Sequence, residues 1–227
     1  MASDSHLTEV AARMRAACDR AGRASEEVVL IGASKHQPIS RMRSAYDAGL
    51  RRFGENRVQE TEEKQPQMPP DVEWHLLGPL QSNKVRRAVA LFDVVHAVDR
   101  LKIVHALERE AGGAGRRLLA FLEVNLGGEP SKHGFSPGEL YEAAEEAAAG
   151  SAVRVAGLMA IPPVGASPED SRPWFRRLRE LRDGLADRLG SGFGGKLSMG
   201  MSGDFEVAIE EGATHVRVGT ALFGARS

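Results

Sequence analysis

The residues of this chain that can do chemistry stand at the ends of apolar runs. Lys35 follows Val28-Val29-Leu30-Ile31 and the size taper Gly32-Ala33-Ser34, where a strand buried on both faces should end. Pro38 then suits the first position of a helix, because its missing N–H would be unpaired there. A lysine at the carboxyl end of a buried strand stands where parallel α/β folds place their chemistry. Desolvation disfavours the ammonium and frees an amine able to form a Schiff base. The commoner use of lysine is a solvated loop charge, and this stretch alone leaves the two readings level.

Two later loops add a second chemistry. Gly200-Met201-Ser202-Gly203 and Gly219-Thr220 are small and run into helix amino termini, whose unpaired N–H groups suit a phosphate dianion. Ser202 and Thr220 add hydroxyls. Each loop alone reads equally as a tight turn; adjacent in one barrel, and facing Lys35 across it, the pair favours phosphate. Asn56, His75, Asn125, Ser198 and Arg217 also fall at strand ends. His75, between Trp74 and Leu76, has the commoner reading of a hydrogen-bonded core histidine. Arg217 alternates with Val216 and Val218, so if the valines face helices the arginine points inward. A charge there needs an acceptor, and a cofactor ring nitrogen or a phosphate would serve.

The elements that must carry these residues follow a regular beat. Residues 6–21 repeat Leu7, Val10, Met14 and Cys18 at helical spacing. After the first strand come a helix over 39–48, a strand over 52–55 that delivers Asn56, and a strand over 73–77. A helix over 81–91, a strand over 93–98 and a helix over 101–111 continue the pattern. The strand over 117–124 precedes a capping box at Ser136 and Glu139, which opens a helix to about Ala149. A strand over 153–158 leads to a long helix opened by Ser167-Pro168-Glu169-Asp170, with Trp174, Leu178, Leu181 and Leu185 on one face. Its arginines interleave with acids and read as a solvated outer face. Strands over 196–199 and 214–218, each with a helix behind it, complete eight beats. They predict a single (β/α)₈ TIM barrel with an extra amino-terminal helix, one domain over residues 1–227.

The totals set bounds. The chain has 227 residues, 30 basic and 31 acidic side chains, and a net charge of -1, so no global charge argues for nucleic acid or an anionic membrane. One cysteine, Cys18, excludes an internal disulfide and a cysteine-rich metal site. The amino terminus MASDSHLTEV has no signal-peptide pattern, and no apolar run is long enough to cross a bilayer. A cytoplasmic protein is expected.

An amine beside a phosphate pocket points to a phosphorylated aldehyde. Pyridoxal 5′-phosphate comes first, and a sugar phosphate on an aldolase-type lysine second. The segments GASKHQP, FGENRVQE, WHLLGPLQSNK and LSMGMSGDFEVAIEEGATHVRVGTALFG resemble those of the pyridoxal phosphate homeostasis proteins, and the resemblance runs from about Val28 to Gly224. It implies a barrel like the amino-terminal domain of alanine racemase, the fold-type III arrangement for this vitamin B6 cofactor. It further implies Lys35 as the Schiff-base lysine, Asn56 beside the ring, and Arg217 against the pyridine nitrogen. Met201, Ser202, Gly219 and Thr220 would bind the phosphate. His75 and Ser198 complete the candidate cofactor-binding set. Lys132 matches another family lysine near the mouth, whereas Gln37 stands where many members have a second lysine, leaving any cofactor-transfer role there without its residue.

An arginine does not protonate a pyridine nitrogen as a carboxylic acid would, so the ring would be a weak electron sink, which disfavours transamination. Two-base racemisation needs a second base; racemases of this fold take a tyrosine from an extra domain, and Tyr46 and Tyr141, the only tyrosines, fall in outer helices. The expectation is a monomeric carrier or buffer of pyridoxal phosphate that serves pyridoxal-phosphate-dependent apoenzymes, rather than an enzyme with an established turnover. Weak racemase or decarboxylase chemistry is the second reading, and a Schiff-base aldolase-type enzyme the third.

Overall fold

Strands in a closed parallel sheet must present apolar side chains to the surrounding helices and fill the axis with the alternate set. The computed structural model describes residues 2–129, 133–163 and 165–224. Helix α1 (Ala2–Arg20) precedes β1 (Val29–Ala33), α2 (Ile39–Asp47), β2 (Arg52–Glu55), α3 (Val58–Lys64), β3 (Glu73–Leu76), α4 (Val85–Leu91) and β4 (Val94–Val98). Then come α5 (Leu101–Gly113), β5 (Leu118–Glu123), α6 (Leu140–Ala148), β6 (Val153–Met159), α7 (Arg172–Leu189), β7 (Lys196–Met201), α8 (Phe205–Glu210), β8 (His215–Val218) and α9 (Thr220–Phe223). Each strand pairs in parallel with the next, and β8 returns to β1 with Ile31 opposite Arg217. The (β/α)₈ barrel expected from the sequence is the fold.

The period-2 alternation holds where it matters. Val216 and Val218 of β8, Leu197 and Met199 of β7, and Trp74 and Leu76 of β3 all pack in the helix-facing core. Arg217, Ser198 and His75 therefore turn to the axis, and all three are buried. An apolar plug of Val94, Ala97, Phe121, Ala156 and Met159 fills part of the interior. Cys18 is buried on α1, as its helical position predicts. Lys132 lies outside the described residues.

Several expectations change in detail. Helix α3 has no counterpart in the sequence reading, because VQETEEK buries only Val58 and Thr61, too thin a stripe for periodicity to register. On α7 the buried face carries Phe175 with Leu178, Leu181 and Leu185; Trp174, one position off that stripe, is half-buried. The arginines of α7 are not merely solvated. Arg172, Arg176 and Arg179 converge on Glu211 at 3.2, 3.1 and 3.0 Å, and Glu211 is buried. The capping box is present, with Glu139 N donating to Ser136 Oγ at 3.3 Å and Ser136 N to Glu139 Oε2 at 3.0 Å.

Strands β6 and β7 meet so closely at Gly157 that an added Cβ would lie 1.8 Å from the Lys196 carbonyl oxygen. Gly157→Ala should lower unfolding free energy by about 1–3 kcal/mol, read from urea denaturation. A change near zero would contradict this packing.

Candidate functional site

The turn after β1 is fastened from below. Ser34 Oγ donates to Glu55 Oε1 at 2.7 Å, and Lys64 Nζ of α3 donates to the same oxygen at 2.8 Å and to the Ser34 carbonyl at 2.9 Å. His36 adopts a left-handed φ of 60°, which costs a non-glycine residue about 1–2 kcal/mol. Its N–H donates to Glu60 Oε2 at 3.1 Å, so α3 holds the strained turn in place. Gln37 is buried and accepts from Arg41 NH1 at 3.2 Å. Lys35, half-buried within this turn, makes no hydrogen bond or ion pair to any described residue. An amine held in position without a carboxylate partner is suited to attack a carbonyl carbon.

The two glycine-rich loops come together. Ser202 Oγ accepts from Gly219 N at 3.1 Å and from Ala221 N at 3.3 Å, which ties the loop after β7 to the start of α9. The N–H groups of Ser202, Gly203 and Thr220 have no acceptor among the described residues. Thr220 is exposed, whereas the Met201 N–H is already engaged by Asp204 Oδ1 at 2.7 Å. Gly200, at φ 91°, permits a loop so close to α8 that a Cβ would fall 2.5 Å from Ala208 Cβ. The expectation that these loops face Lys35 across the barrel is corrected by the β1–β8 pairing. The loop after β8 is its immediate neighbour, with a Cβ on Gly219 only 3.3 Å from the Ala33 carbonyl, and the loop after β7 lies one strand further round.

Arg217 does point inward, but the protein itself supplies acceptors. NH1 donates to Ser198 O and Ser198 Oγ, both at 2.7 Å, and NH2 donates to Ala160 O at 3.1 Å. Three of the five guanidinium N–H groups are thus engaged, and two remain. Burial pulls its pKa down to about 10, while Glu123 and Asp204 oppose the fall. Glu123, at the end of β5, is raised to about 7 by burial and then by Asp99. His75 is a core histidine, hydrogen-bonded through Nδ1 to His96 Nε2 at 2.8 Å. Asn56 lies on the other flank of Lys35, in a cleft of about 880 Å³ shared with Gln81, Lys84, Arg100 and His133.

Residues 6–227 match the family described as "Alanine racemase, N-terminal domain". A pyridoxal phosphate homeostasis protein of Aquifex aeolicus (strain VF5) is 45% identical, over 97% of this chain and 96% of its own length. That of Pseudomonas aeruginosa is also 45% identical, over 97% and 94%. The chain belongs to the pyridoxal phosphate homeostasis protein family. Among solved structures, PipY of Synechococcus elongatus PCC7942 with pyridoxal phosphate bound is similar at TM-score 0.84 and 39% identity, covering 95% of this chain and 100% of that one.

Within this homeostasis-family chain, sequence reasoning missed Glu55, Glu60 and Lys64 beneath Lys35, and His96, Asp99 and Glu123 inside or around the mouth. His96 was within reach of the same argument as Arg217, since it alternates with apolar residues in DVVHAV. The Glu55–Lys64 pair has no such signal, because it needs the unseen α3. Among the described residues no cluster of metal-ligating side chains occurs.

Glu55 is completely enclosed, and burial raises its carboxyl above the ordinary value despite Lys64 and Ser34. Lys64→Met would raise it further by leaving it unpaired. A carboxyl raised in the folded state gives stability at low pH that is lost as pH rises through the folded pKa. Lys64→Met should therefore cost about 3 kcal/mol at pH 8 and less at pH 5, measured by urea unfolding at both values. An equal loss at both would show that Glu55 is not left uncompensated.

Proposed function

We propose that this chain binds pyridoxal 5′-phosphate at the barrel mouth and acts as its reversible carrier, holding the reactive aldehyde on Lys35. The observation that carries the reading is one of adjacency. An amine in the turn after β1, unpartnered among the described residues, lies beside a cradle of N–H and hydroxyl donors in the loops after β7 and β8. The coenzyme supplies an aldehyde that condenses reversibly with an amine, releasing water, and a phosphate ester on the neighbouring ring carbon. Neighbouring groups call for neighbouring partners, which the β1–β8 pairing provides.

The residues present fit the group. Ser202, Gly203 and Thr220 offer backbone donors to a dianion, and the Thr220 hydroxyl stands exposed beside them. The Ser202 hydroxyl keeps the two loops together by accepting from Gly219 and Ala221. Arg217 turns its two remaining N–H groups toward the ring nitrogen as a donor that keeps its own protons, and Asn56 flanks the ring. The turn held by Glu60 and Lys64 fixes the position of the amine. Tyr46 and Tyr141 sit far from this work: Tyr46 donates to Asp71 at 2.6 Å on the outer surface, and Tyr141 lies on α6 against Gly184 of α7. Neither can be a base opposite Lys35. The carrier works as a monomer and delivers its cargo to apoenzymes that need it.

Lys35→Ala should abolish the visible absorption of the loaded protein and the borohydride-fixed adduct seen by mass spectrometry. An adduct persisting on another lysine would overturn the assignment. Ser202→Ala combined with Thr220→Ala should weaken binding of the coenzyme by about tenfold or more, equivalent to about 1.4 kcal/mol, with capture on Lys35 still detectable. Unchanged affinity in a titration would remove phosphate from these loops.

A further inference from the structure

Arg217 is enclosed by the barrel, yet no carboxylate touches its guanidinium among the described residues; Glu123 and Asp204 act on it only through their fields. A buried cation without a counter-charge is costly. The acceptor that takes its NH1, Ser198 Oγ, is the first link of a longer path. Ser198 Oγ lies 2.8 Å from His96 Nδ1, and His96 Nε2 lies 2.8 Å from His75 Nδ1. His75 Nε2 then lies 3.0 Å from Glu73 Oε1, a close electrostatic contact that does not meet hydrogen-bond geometry. His96 stacks on Phe121 with centroids 4.5 Å apart and planes 15° from parallel, which fixes its ring plane. The path thus runs from the guanidinium near the mouth to a carboxylate at the amino-terminal rim.

The two charged ends decide the order of protons along it. Arg217 can only donate, and a carboxylate can only accept. Ser198 Oγ accepts from Arg217 and passes its own proton to His96 Nδ1. His96 then carries its proton on Nε2 and donates it in a hydrogen bond to His75 Nδ1, which leaves the His75 proton on Nε2, in electrostatic contact with Glu73. The reverse order would set a bare His75 lone pair against the Glu73 carboxylate. It would also give Ser198 Oγ two donors and leave its own proton without an acceptor. A doubly protonated His75 would force the same reversal at Ser198.

We infer that Glu73 is the remote counter-ion of Arg217, acting through His75, His96 and Ser198 as a one-directional chain of neutral dipoles that positions the guanidinium for the cofactor ring. The inference rests on the placement of Arg217 at that ring. Burial, then the fields of His75, His215 and Arg217, hold His96 far below its ordinary pKa, so it is neutral. Contact with His75, opposed by burial, leads the effects that lower Glu73 to about 2, and Arg52 and His215 add to them. Around that rim stand Arg52 of β2, 3.4 Å from Glu73, His215 of β8 and Lys196 of β7, together with Asp71 and Asp93, which line a cleft with Glu73 and pair with Arg51 and Arg116. Glu73, His75, His96 and Ser198 are positioning residues in this scheme.

The test is nitrogen-15 NMR of histidine-labelled, cofactor-free protein at pH 8, followed by visible spectra of the loaded protein. Both His75 and His96 should be single Nε2–H tautomers. Glu73→Gln, at a half-exposed position where folding is least at risk, should move both imidazole signals and shift the visible band. A proton on Nδ1 of either ring, or imidazole signals unmoved by Glu73→Gln, would overturn the chain. A band that moves in Arg217→Lys but not in Glu73→Gln would overturn the inference and leave the cofactor reading standing. A band unmoved by Arg217→Lys would remove Arg217 from the ring, and the inference with it.

Discussion

Closure of the sheet by β8 on β1 is the contact on which the site depends. Parallel neighbours lie about 4.8 Å apart, so the register that sets Ile31 opposite Arg217 and Gly32 opposite Val218 also sets the two strand ends side by side. An open sheet with the same elements would leave Lys35 on one edge and the glycine-rich loops elsewhere. The barrel brings the first and last strands of the chain into one corner of the mouth, with the β7 loop tied in through Ser202.

The interior serves two ends. On one side Phe121, Val94, Ala97, Ala156 and Met159 make an ordinary apolar plug. On the other, imidazoles, a serine, carboxyls and a guanidinium occupy space that aliphatic side chains could fill with less desolvation. Arg217 and Glu123 are both displaced from their ordinary proton affinities, each chiefly by burial. Such departures from the best-packed core concentrate at functional sites, and here they occur along the axis that leads to the mouth.

The eight-beat pattern, the strand ends and the inward turn of Arg217 were legible because each is a short-range property: an apolar run, a period of two, a proline or a capping box. The VQETEEK helix was not, because only Val58 and Thr61 anchor it and its purpose is polar. Trp174 and Phe175 are adjacent aromatic residues, and the choice of which faces the core depends on the tilt of α7, which no local pattern encodes. The partners of Arg217 were also out of reach. Ser198, Ala160 and the guanidinium meet only after β6, β7 and β8 pair. His75 read correctly as a core histidine, but its partner, 21 positions along the chain, is set by strand register alone.

Two lysines stand near the end of β1, and their surroundings make them chemically unlike. Lys64 points its Nζ at Glu55, the Ser34 carbonyl and Glu60, at 2.8, 2.9 and 3.5 Å, so oxygen atoms surround its nitrogen. Lys35 has no such company among the described residues. On the proposed assignment Lys35 is the nucleophile and Lys64 the spectator, a distinction between identical functional groups that would rest on their partners rather than on shielding by bulk.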